Sequence, residues 1–163
     1  MLLARMLFTF RHSRSRCSQQ AWSIRQRRFM EESRVTRQSE LMRVLNAIAQ
    51  MMPHADWVAL VDRDGLIVAC VPSEPEVDAE GISAMTAASV MMGERVLGEI
   101  DGGKLRYASI AGSERQQLTV VLGQDHLLSI GLKPEVPAQA TFAPLSRWVP
   151  ELLQALKRSF LES

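Results

Sequence analysis

Apolar residues recur along the chain at two spacings, and each spacing predicts a different kind of element. Between Glu31 and Met52 they recur every three or four residues, which predicts an amphipathic helix that ends before Pro53. The apolar stripe of this helix comprises Leu41, Val44, Leu45, Ile48, Met51 and Met52. From Asp56 to Val71, two runs that are apolar at nearly every position flank Asp64-Gly65. They predict strands buried on both faces, joined by a two-residue type I′ turn in which both residues have positive φ.

The segment from Gly81 to Gly98, GISAMTAASVMMGERVLG, predicts a helix that is apolar over most of its circumference. Residues spaced three or four apart form one of its faces: Ile82, Met85, Ser89, Met92 and Val96. A helix that is apolar nearly all round must be covered on two sides. One side of the helix can pack on the sheet of its own domain. The opposite side must pack either on a second layer of the same chain, as for an ordinary core helix, or on a helix of another chain, as in a dimer.

Three further strands and a last helix follow the middle helix. The strands are predicted at Lys104–Ile110, Gln116–Leu122 and Leu127–Lys133, and the charges at the start of the first indicate an edge strand. After a proline-containing loop, a final amphipathic helix is predicted with Pro150 in its first turns. The apolar face of that helix comprises Val149, Leu152, Leu153, Leu156 and Phe160.

The predicted order is α-β-β-α-β-β-β-α, which gives an α+β fold. Hairpin connections make the five-stranded sheet antiparallel. The middle helix covers one face and the terminal helices cover the other, so the prediction is a three-layer sandwich. We expect three regions: a basic, disordered N-terminal extension (residues 1–30), a folded domain (31–134), and a loop with a C-terminal amphipathic helix that packs on the domain (135–163).

Charge is distributed unevenly along the chain. Residues 1–30 contain seven arginines and no acid, whereas the remaining 12 basic and 18 acidic residues give a net charge of −6. A mildly acidic domain argues against nucleic acid as a partner. The arginine- and serine-rich N-terminus is typical of a transit peptide, of a segment lying on an anionic membrane, or of a plain tail. We expect a cytoplasmic protein, or an organelle-targeted one if this segment is a transit peptide, and no transmembrane segment.

Each candidate chemical motif has a simpler structural explanation. The carboxylates of Glu74–Glu80 can bind metal, but they precede a helix start, where the helix dipole favours acids. Gly98–Lys104, GEIDGGK, has phosphate-loop spacing, yet it follows a helix and lacks the Ser or Thr that holds magnesium. Cys70 is expected to be buried and inert, and His54 and His126 lie far from other metal-ligating residues. We therefore predict no catalytic residue, no cofactor and no metal, and a protein that is not an enzyme.

The WVALVDRDGLIVA hairpin, the Ala/Met-rich helix after it and the strand pair ending HLLSIGLK resemble the roadblock family of dynein light chains and their bacterial relatives. The resemblance covers about Glu40–Lys133 and implies a roadblock/profilin-like fold. It implies a homodimer, or a heterodimer with a paralogous subunit, in which the middle helices pair and the third strands join the two sheets. It further implies a non-enzymatic partner or regulator of a Ras-like small GTPase, or a dynein-type or membrane-signalling scaffold subunit.

On this resemblance the dimer elements are Gly81–Gly98 and Lys104–Ile110. The predicted interface residues are Ile82, Met85, Ala88, Ser89, Met92, Lys104, Arg106 and Ala108. Arg95 and Arg115 have the residue type of an arginine finger, although solvated surface charge explains both. The alternative function is a small-ligand sensor of the profilin, PAS or GAF kind, which also packs helices on an antiparallel sheet. A specific pocket would need convergent polar groups, and the middle helix offers few.

Overall fold

A computed structural model describes residues 38–158 of the chain. The predicted N-terminal extension, the first residues of the predicted domain and Phe160 lie outside the described residues. The elements follow the predicted order. They are α1 (38–51), β1 (Ala55–Asp62), β2 (Ile67–Val71), α2 (Ala79–Glu99), β3 (Tyr107–Ala111), β4 (Gln116–Leu122), β5 (His126–Leu132), a 3-10 turn (Ala138–Thr141) and α3 (Phe142–Arg158).

The five strands form one antiparallel sheet in the order β2-β1-β5-β4-β3. β1 lies inside the sheet and is apolar on both faces, since Trp57, Ala59 and Val61 point to one side and Val58 and Leu60 to the other. All five are buried. Their burial accounts for the unbroken apolar run in the sequence, because a strand covered on both faces has no polar side.

Helices cover both faces of the sheet, which confirms the predicted three-layer α+β sandwich. The larger core lies between the sheet and the helices α1 and α3, where Leu45, Ile48 and Leu152 are fully buried against Leu60 and Ile130. The smaller core lies between the opposite face and α2. It comprises Trp57, Ala59, Val61, Cys70, Ile82, Val90 and Leu127. Helix α2 is therefore attached to the sheet by fewer large apolar side chains than α1 and α3.

The β1–β2 connection differs from the predicted type I′ turn. Four residues, Arg63 to Leu66, separate the two strands, and among them Gly65 alone has positive φ, +82°. Asp62 closes the loop: its backbone carbonyl accepts from Gly65 N at 3.2 Å, and its carboxylate accepts from Leu66 N at 2.8 Å. The strand register shifts between Leu60 and Val61. A type I′ turn would have placed Asp64 in the left-handed region as well, and the carboxylate of Asp62 stabilises the longer loop instead.

Helix α3 begins earlier than predicted, at Phe142, so that Pro144 lies in its first turn and Pro150 lies inside it. The prediction that Pro150 belongs to the first turns is wrong. Proline inside a helix removes one hydrogen bond, here to the carbonyl of Ser146. Ser146 and Pro150 are both exposed, so water can hydrate the carbonyl that lost its partner.

Polar contacts join α3 to α1 at the surface. Met51, predicted as part of the apolar stripe of α1, is 42% exposed, and its sulfur accepts a hydrogen bond from the indole of Trp148. Arg43 donates to Glu40 at 3.1 Å and to Glu151 of α3 at 3.3 Å. The buried stripe continues from Ile48 to Met52, which is 7% exposed, so Met51 lies beside the stripe and not within it.

Cys70 lies in the smaller core, as predicted, and burial raises the pKa of its thiol. The neutral thiol is therefore favoured in the folded state. Above the ordinary thiol pKa of about 8.5, the unfolded chain releases a proton that the folded chain retains. The free energy of unfolding is thus expected to fall as pH rises above that value, with a limiting slope of about 1.4 kcal/mol per pH unit.

Denaturant unfolding of wild type and Cys70→Ala between pH 7 and pH 10 measures this effect. The variant is expected to lose the Cys70 part of the slope, whatever its stability at pH 7. Equal slopes for the two proteins would show that the Cys70 thiol ionises as easily folded as unfolded.

Candidate interaction surface

Helix α2 is oriented by a small set of buried residues on one side. Its start is capped by Asp78, whose carboxylate accepts from Gly81 N at 2.8 Å, and Glu80 lies in the first turn. The residues that face the sheet are Ile82, Ser83, Thr86, Ala87 and Val90. Most of these are small, so the helix lies close on the sheet and the opposite side of its cylinder faces away from the protein.

The side of α2 that faces away from the sheet is apolar. We define its outer face as Met85, Ala88, Met92 and Val96. Met85 and Met92 are each 61% exposed and Val96 is 52% exposed. Met91, on the flank of this face, and Ile100, just after the helix, are exposed to a similar degree. Exposed apolar residues that follow one helical face for three turns are typical of a binding surface rather than of scattered surface residues.

Strand β3 forms one edge of the described sheet and is also exposed and apolar. It pairs with β4 alone, and Tyr107 and Ile110 are about half exposed. Tyr107 points towards α3, where its ring meets Phe142 edge-on at a centroid distance of 4.9 Å. Ile110 lies on the α2 side of the sheet. The backbone of a free edge strand offers unpaired N–H and C=O groups to another strand.

The outer face of α2 and the strand β3 are neighbours in space. Leu105, just before β3, is half-buried in the smaller core and lies against Gly93 of α2. Arg106 extends the ladder by accepting from Val121 N at 3.0 Å. We therefore treat the outer face of α2 together with β3 as one candidate surface, called the interaction surface below.

The predicted interface residues are only partly brought together. Met85, Ala88 and Met92 lie on the outer face of α2. Ser89 is half-buried and donates to the carbonyl of Thr86 at 2.8 Å, and Ala108 is half-buried in β3. Ile82 is 4% exposed and packs on the sheet. The prediction that Ile82 shares a face with Met85 is therefore wrong.

The predicted strand Lys104–Ile110 begins three residues too early. Lys104 and Arg106 are exposed, but they precede β3, which starts at Tyr107. Tyr107 and Ile110 were not among the predicted interface residues, although both are exposed on β3 in the candidate surface. The sequence did indicate them, because Tyr107 and Ile110 are large apolar residues within a strand predicted to lie at the edge of the sheet.

The two arginines with the residue type of an arginine finger lie in different settings. Arg115, in the β3–β4 turn, donates to Glu76 at 3.1 Å and lies 3.9 Å from a carboxylate oxygen of Asp56. These ion pairs link three segments at one end of the sheet, and exposed pairs of this kind contribute about 0–1 kcal/mol each. Arg95 is exposed on α2.

The acidic segment and the phosphate-loop-like segment have structural roles. Asp78 caps α2, Glu80 lies in the first turn and Glu76 pairs with Arg115. Among residues 38–158, no three His, Cys, Asp or Glu side chains are grouped as metal ligands would be. Residues 98–104 end helix α2 and turn towards β3, with Gly102 N donating to Leu97 O at 2.8 Å. In the described part of the chain no helix has the length and apolar content to cross a bilayer.

The fold and the surface together describe a small α+β domain with an exposed apolar helix face and a free edge strand. The Roadblock/LC7 domain model matches residues 45–131, and the chain belongs to that family. The match lies within the segment on which the sequence resemblance was based. No curated protein sequence is significantly similar to this chain.

Solved structures with the same fold include MglB of Myxococcus xanthus, at a TM-score of 0.64 and 14% identity over 74% of this chain and 90% of that one. A Roadblock/LC7 domain from Streptomyces avermitilis aligns at a TM-score of 0.60 and 18% identity, over 74% of this chain and 96% of that one. A structure described as MglB with tetrameric arrangement aligns at a TM-score of 0.62 and 12% identity, over 73% of this chain and 91% of that one. At these identities the likeness concerns the fold.

Proposed function

We propose that this chain is a non-enzymatic dimeric interaction module that binds or regulates a Ras-like small GTPase. The observation that carries the proposal is the interaction surface, where an apolar helix face and a free edge strand adjoin. Burying Met85, Met92 and Val96 against a second copy would remove apolar area from water at about 25 cal/mol per Å². The two-fold symmetry of a homodimer would let each α2 pack on its partner and each β3 pair with its partner.

Two further observations support self-association. The outer face of α2 lacks charge at its centre and carries methionines, whose flexible side chains adapt to a second helix. The neighbour described as having a tetrameric arrangement is a protein of the same fold that assembles with itself.

The GTPase part of the proposal rests on the family. Roadblock-family proteins act as partners or regulators of Ras-like small GTPases. A module of this kind can act by stabilising the switch loops that the γ-phosphate orders, and this requires no catalytic residue from the module. Arg115 is engaged in ion pairs with Glu76 and Asp56, which favours the mechanism without an arginine finger.

Sedimentation velocity of the full-length chain tests the proposal, alone and with the Ras-like GTPases of its own organism. The chain alone is expected to sediment as a single species whose mass is twice that of the monomer. With one of these GTPases it is expected to form a complex when the GTPase holds a non-hydrolysable GTP analogue, and to bind at least about tenfold more weakly with GDP, a difference of ~1.4 kcal/mol.

The two parts of the proposal fail separately. A monomer at micromolar concentration would contradict the dimer, and a dimer that binds none of these GTPases in either nucleotide state would contradict the GTPase role. Binding of equal strength in both states would mean that the chain does not distinguish GTP-bound from GDP-bound GTPase, which contradicts regulation through the switch loops.

A further inference from the structure

A largely buried polar network joins α2 to the sheet on the side of the smaller core. It consists of Trp57 on β1, Thr86 on α2, Gln117 on β4 and Ser129 on β5. The carboxamide nitrogen of Gln117 donates to Thr86 Oγ1 at 2.7 Å and to Ser129 Oγ at 2.9 Å. Ser129 Oγ also accepts from the indole nitrogen of Trp57 at 3.2 Å. Gln117 therefore uses both of its donors, one towards the helix and one towards the sheet.

Three members of the network are buried and the fourth is half-buried. Thr86 and Ser129 are 0% exposed and Trp57 is 6% exposed, whereas Gln117 is half-buried. Thr86 Oγ1 donates to the carbonyl of Ile82 at 2.6 Å while it accepts from Gln117. Moving α2 by one residue or one turn would break these bonds and leave buried polar atoms without partners, at about 1–3 kcal/mol for each atom.

Directional bonds matter more for α2 than for α1 and α3. Apolar burial is non-directional, and the face that α2 presents to the sheet is made largely of small residues. Such a face can slide or rotate with little loss of apolar contact. The polar network selects one position among these, because only that position lets Gln117 donate to Thr86 and Ser129 at once.

Gln117 also lies beside the second half of the interaction surface. In the strand register, Trp57 pairs with Gly131, Gly131 pairs with Gln117, and Gln117 pairs with Ile110 of β3. This row crosses the sheet from its interior to the exposed edge. Gln117 thus contacts α2 through its side-chain carboxamide, and its backbone pairs with the edge strand β3.

We propose that Gln117 is a positioning residue, whose carboxamide fixes the place of α2 on the sheet and thereby sets the geometry of α2 relative to β3 in the interaction surface. The binding consequence rests on the proposed function, because it requires a second copy on that surface. The position of α2 does not depend on the proposed function and is measured separately.

The test uses Gln117→Met in the full-length chain, because methionine keeps the length of the side chain and removes both donors. The dimer dissociation constant is expected to rise about tenfold, the change that ~1.4 kcal/mol of binding free energy produces. In hydrogen exchange at low protein concentration, where the monomer dominates, the α2 amides around Thr86 are expected to exchange faster. The amides of β1 and β5 are expected to keep their wild-type rates.

The neighbouring residue provides a matched control. Gln116 is buried, whereas Gln117 is half-buried, and the Gln116 carboxamide likewise donates twice, to the carbonyl of Lys133 at 2.8 Å and to that of Val136. It points to the opposite face of the sheet, towards α1 and α3. Gln116→Met therefore removes as many hydrogen bonds from the same strand, and it is expected to lower stability while leaving α2 exchange and the dissociation constant unchanged.

Variants of Thr86 test the same bond from the helix side. Thr86→Val is expected to reproduce the effect of Gln117→Met, Thr86→Ser to retain wild-type behaviour, and the double variant Thr86→Val/Gln117→Met to fall well short of the sum of the two. If Gln117→Met and Gln116→Met lower stability equally and neither changes α2 exchange, the positioning role is refuted. A monomeric wild type would refute the proposed function, and α2 exchange would still decide the role of Gln117.

Discussion

Replacing Met85 by arginine is expected to convert the proposed dimer into monomers while leaving the fold of each chain intact. Met85 is 61% exposed in the single chain, so an arginine there remains hydrated before association. In a dimer formed through the outer face of α2 the same guanidinium would be buried in the apolar interface. Burying an unpaired charge costs several kcal/mol, so the dissociation constant is expected to rise by at least about a hundredfold, or ~2.8 kcal/mol.

Sedimentation velocity over a concentration series measures the constant, and far-ultraviolet circular dichroism verifies the fold. The matched control is Leu66→Arg. Leu66 is another exposed apolar residue, at 65%, but it lies in the β1–β2 loop outside the outer face of α2. The control is expected to dimerise like wild type. If Met85→Arg dimerises normally, or if Leu66→Arg is equally impaired, the outer face of α2 is not the site of self-association.

The element order and the layers could be predicted because they depend on periodicity alone. The double-sided apolar run of β1 requires a layer on each face of the sheet, and the predicted helices supply those layers in the observed arrangement. Local details that depend on single side chains were not predictable in the same way. The carboxylate of Asp62 accepts from Leu66 N and so stabilises a β1–β2 loop longer than the predicted turn. Pro150 lies inside α3, where solvent exposure makes the lost hydrogen bond tolerable.

The rotation of α2 about its own axis illustrates why the candidate surface was predicted only in part. Ile82 and Met85 are three residues apart and both apolar, so their spacing is compatible with a shared face. In the structure that spacing falls across the boundary between the buried and the outward side, with Ile82 buried and Met85 exposed. The buried side includes the polar residue Thr86, which faces inward because the carboxamide of Gln117 on β4 donates to its hydroxyl. That contact depends on the fold and cannot be inferred from the spacing of residues in α2.

The largest effect on stability is expected at Gly131, in the centre of the sheet. The indole of Trp57 lies directly over this residue, and a methyl group built on Gly131 would overlap the ring carbons Cε3, Cζ3 and Cδ2. Gly131→Ala must therefore displace a buried tryptophan, which would also break its hydrogen bond to Ser129. We expect a loss of about 3 kcal/mol in the free energy of unfolding, at the upper end of the usual cost of overpacking.

The sign of the change in stability on Gly131→Ala distinguishes steric overlap with Trp57 from the effect of the substitution on backbone conformational entropy. Gly131 does not have positive φ, so alanine fits its backbone, and on conformational entropy alone the substitution should stabilise by about 0.5–1 kcal/mol. Gly98→Ala is the control, because Gly98 lies near the end of α2 and no neighbouring atom comes within 4 Å of the position that an alanine methyl group would take. There the same substitution is expected to stabilise, by up to about 1 kcal/mol.

Denaturant unfolding of the two variants, and of Gly131→Ala combined with Trp57→Leu, completes the test. Because leucine leaves room for the methyl group, the double variant is expected to be less destabilised than the sum of the single ones. If Gly131→Ala is as stable as wild type, the indole does not occupy the space over Gly131. The polar network would then lose the anchor on β1 through which Ser129, Gln117 and Thr86 connect α2 to the interior of the sheet.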